Sequence, residues 1–95
     1  NSKVVDIINE LKDFGVDVDV VDAHADSEEV KQMYGFGLIE KPRNNYDGVI
    51  VAVSHDAYKD LNEKYLKSLN YDNAVLVDVK GMYRGKINKL KYWSL

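Results

Sequence analysis

The chain is expected to adopt an α/β layered fold with a mainly parallel sheet, on three observations. Segments with apolar residues at helical spacing alternate with short β-branched runs, in the order helix–strand–helix–strand–helix–strand. Two of those runs, Val49-Ile50-Val51-Ala52-Val53 and Ala74-Val75-Leu76-Val77, are continuously apolar, as strands buried on both faces of a parallel sheet are. The 95 residues are 45 % hydrophobic and 31 % charged, a soluble globular mix. That length suits one domain and is too short for separate cofactor and substrate domains, since a typical domain is already about 100–150 residues.

Taken in order, Ser2 can cap a helix. Val4, Ile7, Ile8, Leu11 and Phe14 follow at helical spacing, with Gly15 as a stop. Val16, Val18 and Val20 alternate with Asp17 and Asp19, the pattern of a strand with one wet face near a sheet edge. After a loop over Asp22–Asp26, Asp26 with Glu29 forms a capping pair for a short helix through Val30, Met33 and Tyr34, closed by Gly35. Residues 36–47 read as irregular, with a short strand at Gly37–Ile39 and a loop marked by Pro42, Asn44 and Asn45. The run 49–53 is then a central strand. One helix carries Tyr58, Leu61, Tyr65, Leu66 and Leu69 inward, and the run 74–77 is a second buried strand ending at Asp78. Beyond Gly81, Ile87, Leu90, Tyr92, Trp93 and Leu95 suit a last short strand or packed arm. A helix that opens the chain with no strand before it is unusual in right-handed βαβ winding. The expectation is therefore a sheet lacking its first strand, in a fragment of a longer chain.

Net charge is −3 but unevenly spread. All 16 acids and 8 of the 13 Lys+Arg lie in residues 1–78, which carry −8, whereas Lys80, Arg84, Lys86, Lys89 and Lys91 give residues 79–95 a charge of +5. A basic tail on an acidic body fits a small anion or an acidic partner surface; a solvated, disordered tail is the competing reading. Nucleic acid is disfavoured, because the acidic body repels a phosphate backbone. No apolar run approaches the roughly 18–20 residues that span a bilayer, so no membrane association is expected, and the lack of cysteine makes the cytoplasm the plain expectation for the compartment. With no cysteine, the chain offers no disulfide, thiolate metal site or thiol nucleophile.

Ligands of open α/β sheets bind beyond the carboxyl ends of the strands, which here are Asp22–His24, Ser54–Asp56 and Asp78–Arg84. Ser54-His55-Asp56 contains the residue types of a catalytic triad, but three adjacent residues cannot converge as nucleophile, base and orienter. Capping of the next helix by Ser54 or Asp56, with His55 an exposed loop residue, is the plainer reading. A third places Ser54 and the helix N-terminus against an anionic ligand. Lys80 and Arg84 flank Gly81 and Tyr83: the cations can neutralise phosphates and the ring can stack on a base, unless Tyr83 is core and the cations are solvated. Asp22 ends a strand where a dinucleotide fold places its ribose-binding acid, yet no GxGxxG precedes it and Gly35-Phe36-Gly37 stands alone. His24 with Asp22 and Asp26 has only a generic metal-ligand spacing, and no metal is expected.

Asn1-Ser2-Lys3-Val4-Val5-Asp6, Val20-Val21-Asp22-Ala23-His24, Val51-Ala52-Val53-Ser54-His55 and Val77-Asp78-Val79-Lys80-Gly81 occur in this order and at suitable spacing. Together they resemble the C-terminal, UDP-binding domain of the UDP-glucose/GDP-mannose dehydrogenase family. The nearest likeness is to the bacterial branch that oxidises UDP-N-acetyl-hexosamines for capsule or O-antigen synthesis. The resemblance covers essentially the whole chain and implies a three-layer, Rossmann-like single domain over residues 1–95, cut from a longer enzyme. It further implies a parent that oxidises the sugar C6 alcohol to a carboxylate in two NAD-dependent steps through a cysteine, with NAD and all catalytic residues outside this chain. The nucleotide site it implies contains Lys80, with Asp78 beside it, Ser54 and His55 in the loop after the middle strand, and Tyr83 and Arg84 further along. Where the family commonly reads Asp-Pro, this chain has Asp22-Ala23, which loses a rigid turn. The expected partners are a UDP-sugar, a second subunit in a homodimeric or larger parent, and other copies of the fragment through an unpaired or swapped sheet edge. The alternative is a non-catalytic interaction or regulatory module that docks through its basic C-terminal arm.

Overall fold

The computed structural model describes residues 2–22 and 25–95. The expected capping by the Ser2 side chain, and the readings on Ala23 and His24, lie outside what is described. The chain is α/β, with helices and a three-stranded parallel sheet. It divides into two compact units, Asn1–Pro42 and Arg43–Leu95.

The first unit begins with helix α1 (Ser2–Asp13), which buries Ile8 but leaves Phe14 80 % exposed. Gly15, at φ 84°, ends it in the left-handed conformation that glycine adopts without steric cost. Residues 16–22 form no strand, contrary to the expectation from Val16, Val18 and Val20. Alternation half-buries Val18 and Val20, but a strand also needs a ladder. A backbone bond from the Ile39 N–H to the Val20 carbonyl, 2.9 Å, brings this segment beside residues 37–39, but neither segment is a strand. The short strand expected at Gly37–Ile39 is absent for the same reason. Helix α2 (Ser27–Tyr34) follows its sequence signals: the Asp26 carboxylate accepts the N–H groups of Glu28 and Glu29, and Gly35 closes the helix at φ 80°. Phe36 is buried, stacked on Tyr34 at 6.1 Å, with the Lys12 ammonium 5.3 Å from its ring centre.

The second unit holds strands β1 (Tyr46–Val51), β2 (Asn70–Asp78) and β3 (Lys91–Ser94), all parallel, in the order β1-β2-β3. Val49, Leu76 and Tyr92 pair in one row and Val51, Asp78 and Ser94 in another. These rows share a face, because side chains alternate across a strand. That face meets the buried core of Leu66, Leu76, Tyr83 and Leu90, with Leu61, Met82 and Ile87 packed around it. Full burial of Leu66 and Leu76 contributes about 2 kcal/mol each by area transfer. The alternate row, Ile50, Val77 and Trp93, lies on the other face, where Ile50 is 42 % and Trp93 52 % exposed.

Two expectations need correction here. The run 49–53 is not central: β1 is an edge of the sheet among the described residues, and its β-branched side chains are only partly covered. The expected single helix is two, α3 (Asp56–Lys59) and α4 (Glu63–Ser68). Asn62 breaks the run by taking extended backbone and accepting the Tyr65 N–H on its side chain, so that a new helix starts there. Of the two readings of the basic tail, the packed strand holds: Tyr83 and Leu90 are core and Lys91–Ser94 forms β3, while Trp93 and Leu95 stay exposed. Among the described residues, no helix is long and apolar enough to cross a membrane.

Candidate functional site

β1 and β2 are parallel neighbours, with Val51 opposite Asp78, and the pairing runs one residue further through the Val79 N–H to the Val51 carbonyl, 3.0 Å. Ser54–His55 and Val79–Tyr83 therefore leave the sheet at the same, carboxyl end, where open α/β sheets bind their ligands.

The segment after β2 is organised by Asp78, whose side chain is 0 % exposed. Its Oδ1 accepts the Met82 N–H at 3.0 Å, and its Oδ2 accepts the Tyr83 N–H at 2.8 Å and the Tyr92 hydroxyl at 2.5 Å. The Gly81 N–H turns back to the Asp78 carbonyl, with Gly81 at φ 70°. Burial alone would push the Asp78 carboxyl up. The bonds from Tyr92 and from the Tyr83, Met82 and Gly81 amides outweigh it and hold the carboxyl below its ordinary value. Lys80 sits within this turn with its side chain exposed.

The loop after β1 is built on His55. Neither Ser54 nor Asp56 caps α3; the His55 Nδ1 does, accepting the Ala57 N–H at 2.9 Å. Its ring meets Tyr58 edge-on at 5.9 Å. The Tyr58 carbonyl accepts the Tyr83 hydroxyl at 2.5 Å, which joins the two loops: Asp78 holds the Tyr83 amide, and Tyr83 holds the loop that His55 caps. Burial, then Asp78 and Tyr58, pushes the Tyr83 hydroxyl up to about 12.

The structure thus sorts the six residues named from the sequence. Lys80, Ser54 and His55 come to one end of the sheet, with Lys80 and Ser54 exposed. Asp78 and Tyr83 are beneath that end rather than on it. At 1 % exposure Tyr83 is a core ring and presents no face on which a base could stack. Arg84 stays at the same end of the sheet, because β3 is parallel and ends there, but its guanidinium is engaged: its Nε donates to the Ser94 hydroxyl at 3.2 Å and its Nη2 to the Leu95 carbonyl. Its guanidinium lies against Gly81, where a Cβ would come within 2.7 Å of it.

Gly35-Phe36-Gly37 closes α2 instead of opening a helix, so it offers no pyrophosphate-binding turn. His24 lies outside the described residues, Asp26 is committed to its cap, and among the described residues no cluster of three or more metal-ligating side chains occurs.

Three structural contributors escaped the sequence reading. Glu63 Oε2 accepts three successive N–H groups, of Asn88, Lys89 and Leu90, at 2.9, 2.8 and 3.0 Å. Bonds from Leu90 and Lys89 lead in holding this carboxyl below its ordinary value. Tyr92 completes the Asp78 shell, and Asn62 restarts the helix. Asn62 was detectable as a capping residue before a charged first turn. The other two act across 14 to 27 residues, and no local pattern announces such a pair.

The family model described as "UDP-glucose/GDP-mannose dehydrogenase family, UDP binding domain" matches residues 1–85. Among curated proteins, the chain is 36 % identical over 81 residues to UDP-N-acetyl-D-glucosamine 6-dehydrogenase of Pseudomonas aeruginosa and 33 % identical over 81 residues to that of Salmonella typhi. It is 39 % identical over 83 residues to Protein CapL of Staphylococcus aureus. These matches cover 84 to 86 % of this chain and 19 % of each relative, so the chain spans about a fifth of their length. No solved structure matches it significantly. The matched residues include the turn that carries Lys80, with Asp78 and Tyr83, and the chain belongs to the UDP-glucose/GDP-mannose dehydrogenase family, as its UDP binding domain.

Proposed function

We propose that residues 1–95 act as one nucleotide-holding domain of an NAD-dependent UDP-sugar 6-dehydrogenase, a cytoplasmic enzyme whose products feed cell-surface polysaccharide synthesis. One observation carries the reading: Lys80 stands exposed on a braced turn at the carboxyl end of β2, beside the Ser54–His55 loop. Its ammonium is a point charge suited to a diphosphate, and the Ser54 hydroxyl can donate to a phosphate oxygen. Asp78 and Tyr83 act from below as supports. Arg84, turned to the C-terminal strand, braces the same loop. The chain has no cysteine, so the covalent chemistry at the sugar C6, and NAD with it, would belong to other segments of a parent enzyme that works as a homodimer or larger assembly.

Calorimetry with UDP, UMP and uridine tests the reading. Weak binding is expected, strongest for UDP and weakened about tenfold or more by Lys80→Ala, since charge-assisted contacts to phosphate contribute about 1.5–3 kcal/mol. Absence of heat at millimolar UDP, or equal affinity for uridine and UDP, would refute it.

A further inference from the structure

We propose that Asp78 is a positioning residue for nucleotide binding: its buried carboxylate, completed by the Tyr92 hydroxyl, holds the Val79–Tyr83 turn in the one shape that presents Lys80 to a diphosphate. The proposal rests on the nucleotide reading above and goes beyond it by assigning to a buried acid, and to a tyrosine outside the matched residues 1–85, control over an exposed lysine.

A charge removed from water is unfavourable unless donors saturate it, and Asp78 at 0 % exposure has donors on both oxygens. Two of these are consecutive amides of the turn, reached across four and five residues. The third comes from β3. With the Val79 N–H on Val51 and the Gly81 N–H on the Asp78 carbonyl, the backbone on both sides of Lys80 is tied. The donors also explain why the residue is an acid. Asparagine offers one acceptor oxygen, so its amide group would set N–H against N–H at the other position. An aspartate that merely ended β2 would not need to gather the amides beyond it.

The test compares Asp78→Asn, Tyr92→Phe and Lys80→Ala in the 95-residue chain, reading UDP affinity by titration and amide hydrogen exchange residue by residue. Asp78→Asn is expected to weaken UDP about tenfold, the size of one lost charge-assisted bond. It should also speed exchange at Met82 and Tyr83 while Leu76 and Val77 in β2 keep their protection. Tyr92→Phe, which leaves both amide bonds in place, is expected to weaken UDP about threefold and carries the test should Asp78→Asn not fold. Unchanged UDP affinity in the folded variants, with Lys80→Ala still harmful, would overturn the positioning role and leave the nucleotide reading standing. So would a uniform loss of protection through β2, which marks a purely structural acid. No UDP binding by the unaltered chain, or none lost in Lys80→Ala, would overturn the nucleotide reading and the positioning role with it, whatever the exchange shows.

Discussion

Replacing Tyr83 by Phe isolates the link between the two loops at the carboxyl end of the sheet. The ring fills the same core space beside Leu66, Leu76 and Leu90, so packing is kept and only the hydroxyl bond to the Tyr58 carbonyl is lost. At neutral pH that loss should cost about 1 kcal/mol. The alkaline behaviour is more diagnostic. The hydroxyl titrates at about 12 in the fold against about 10 in an unfolded chain. A group raised on folding contributes stability that is complete below its unfolded value and is lost as pH climbs through the folded one. The unfolded chain therefore gains by ionising first, and the loss attributable to Tyr83 grows by about 1.4 kcal/mol per pH unit between 10 and 12. Urea unfolding followed by far-ultraviolet circular dichroism at pH 7, 10 and 11 measures it. The unaltered chain should be the more stable by about 1 kcal/mol at pH 7, and that advantage should be gone by pH 11. A gap between the two proteins that stays constant from pH 7 to 11 would refute the argument. It would mean that the Tyr83 hydroxyl is solvated and that the two loops are not joined through it.

Two further outcomes follow from the core and the carboxylates. Leu76→Ala, at the fully buried centre of β2, should cost about 2–5 kcal/mol, seen as a lower urea midpoint with little change in slope; in a chain of this size that is much of the total stability. Glu63→Gln should lower the melting temperature at pH 7 and speed exchange at the Asn88, Lys89 and Leu90 amides. Because folding lowers the Glu63 carboxyl, its contribution is present above the ordinary carboxylate range and lost as pH falls through the lowered value. The gap between the two proteins should therefore close toward low pH. Asp78, also lowered, adds acid sensitivity of the same sign that Glu63→Gln leaves in place.

Local chemistry was legible wherever a residue acts on its neighbours. Asp26 caps α2, Gly35 and Gly15 stop their helices, and Ala74–Val77 lies in the strand at the middle of the sheet. The Val16–Val20 alternation misled because period-2 burial does not require a ladder, and backbone pairing depends on what comes alongside. The β-branched run at 49–53 suggested a strand buried on both faces, but burial is set by neighbours that the run does not encode. At the site, the Asp78–Lys80 segment was legible as a cation just past a buried strand. The division of labour within it was not. Whether Tyr83 faces a ligand or the core depends on the Tyr58 carbonyl 25 residues earlier, and whether Asp78 touches a ligand or supports the turn depends on Tyr92, 14 residues later.

The measurement that bears most directly on the nucleotide site is a titration of the isotope-labelled chain with UDP, followed amide by amide in nitrogen–proton correlation spectra. The expected result is saturable shifts clustered at Val79–Tyr83 and Ser54–His55, abolished in Lys80→Ala. Saturable shifts clustered elsewhere, or none at millimolar UDP, would contradict a nucleotide site at the carboxyl end of β1 and β2.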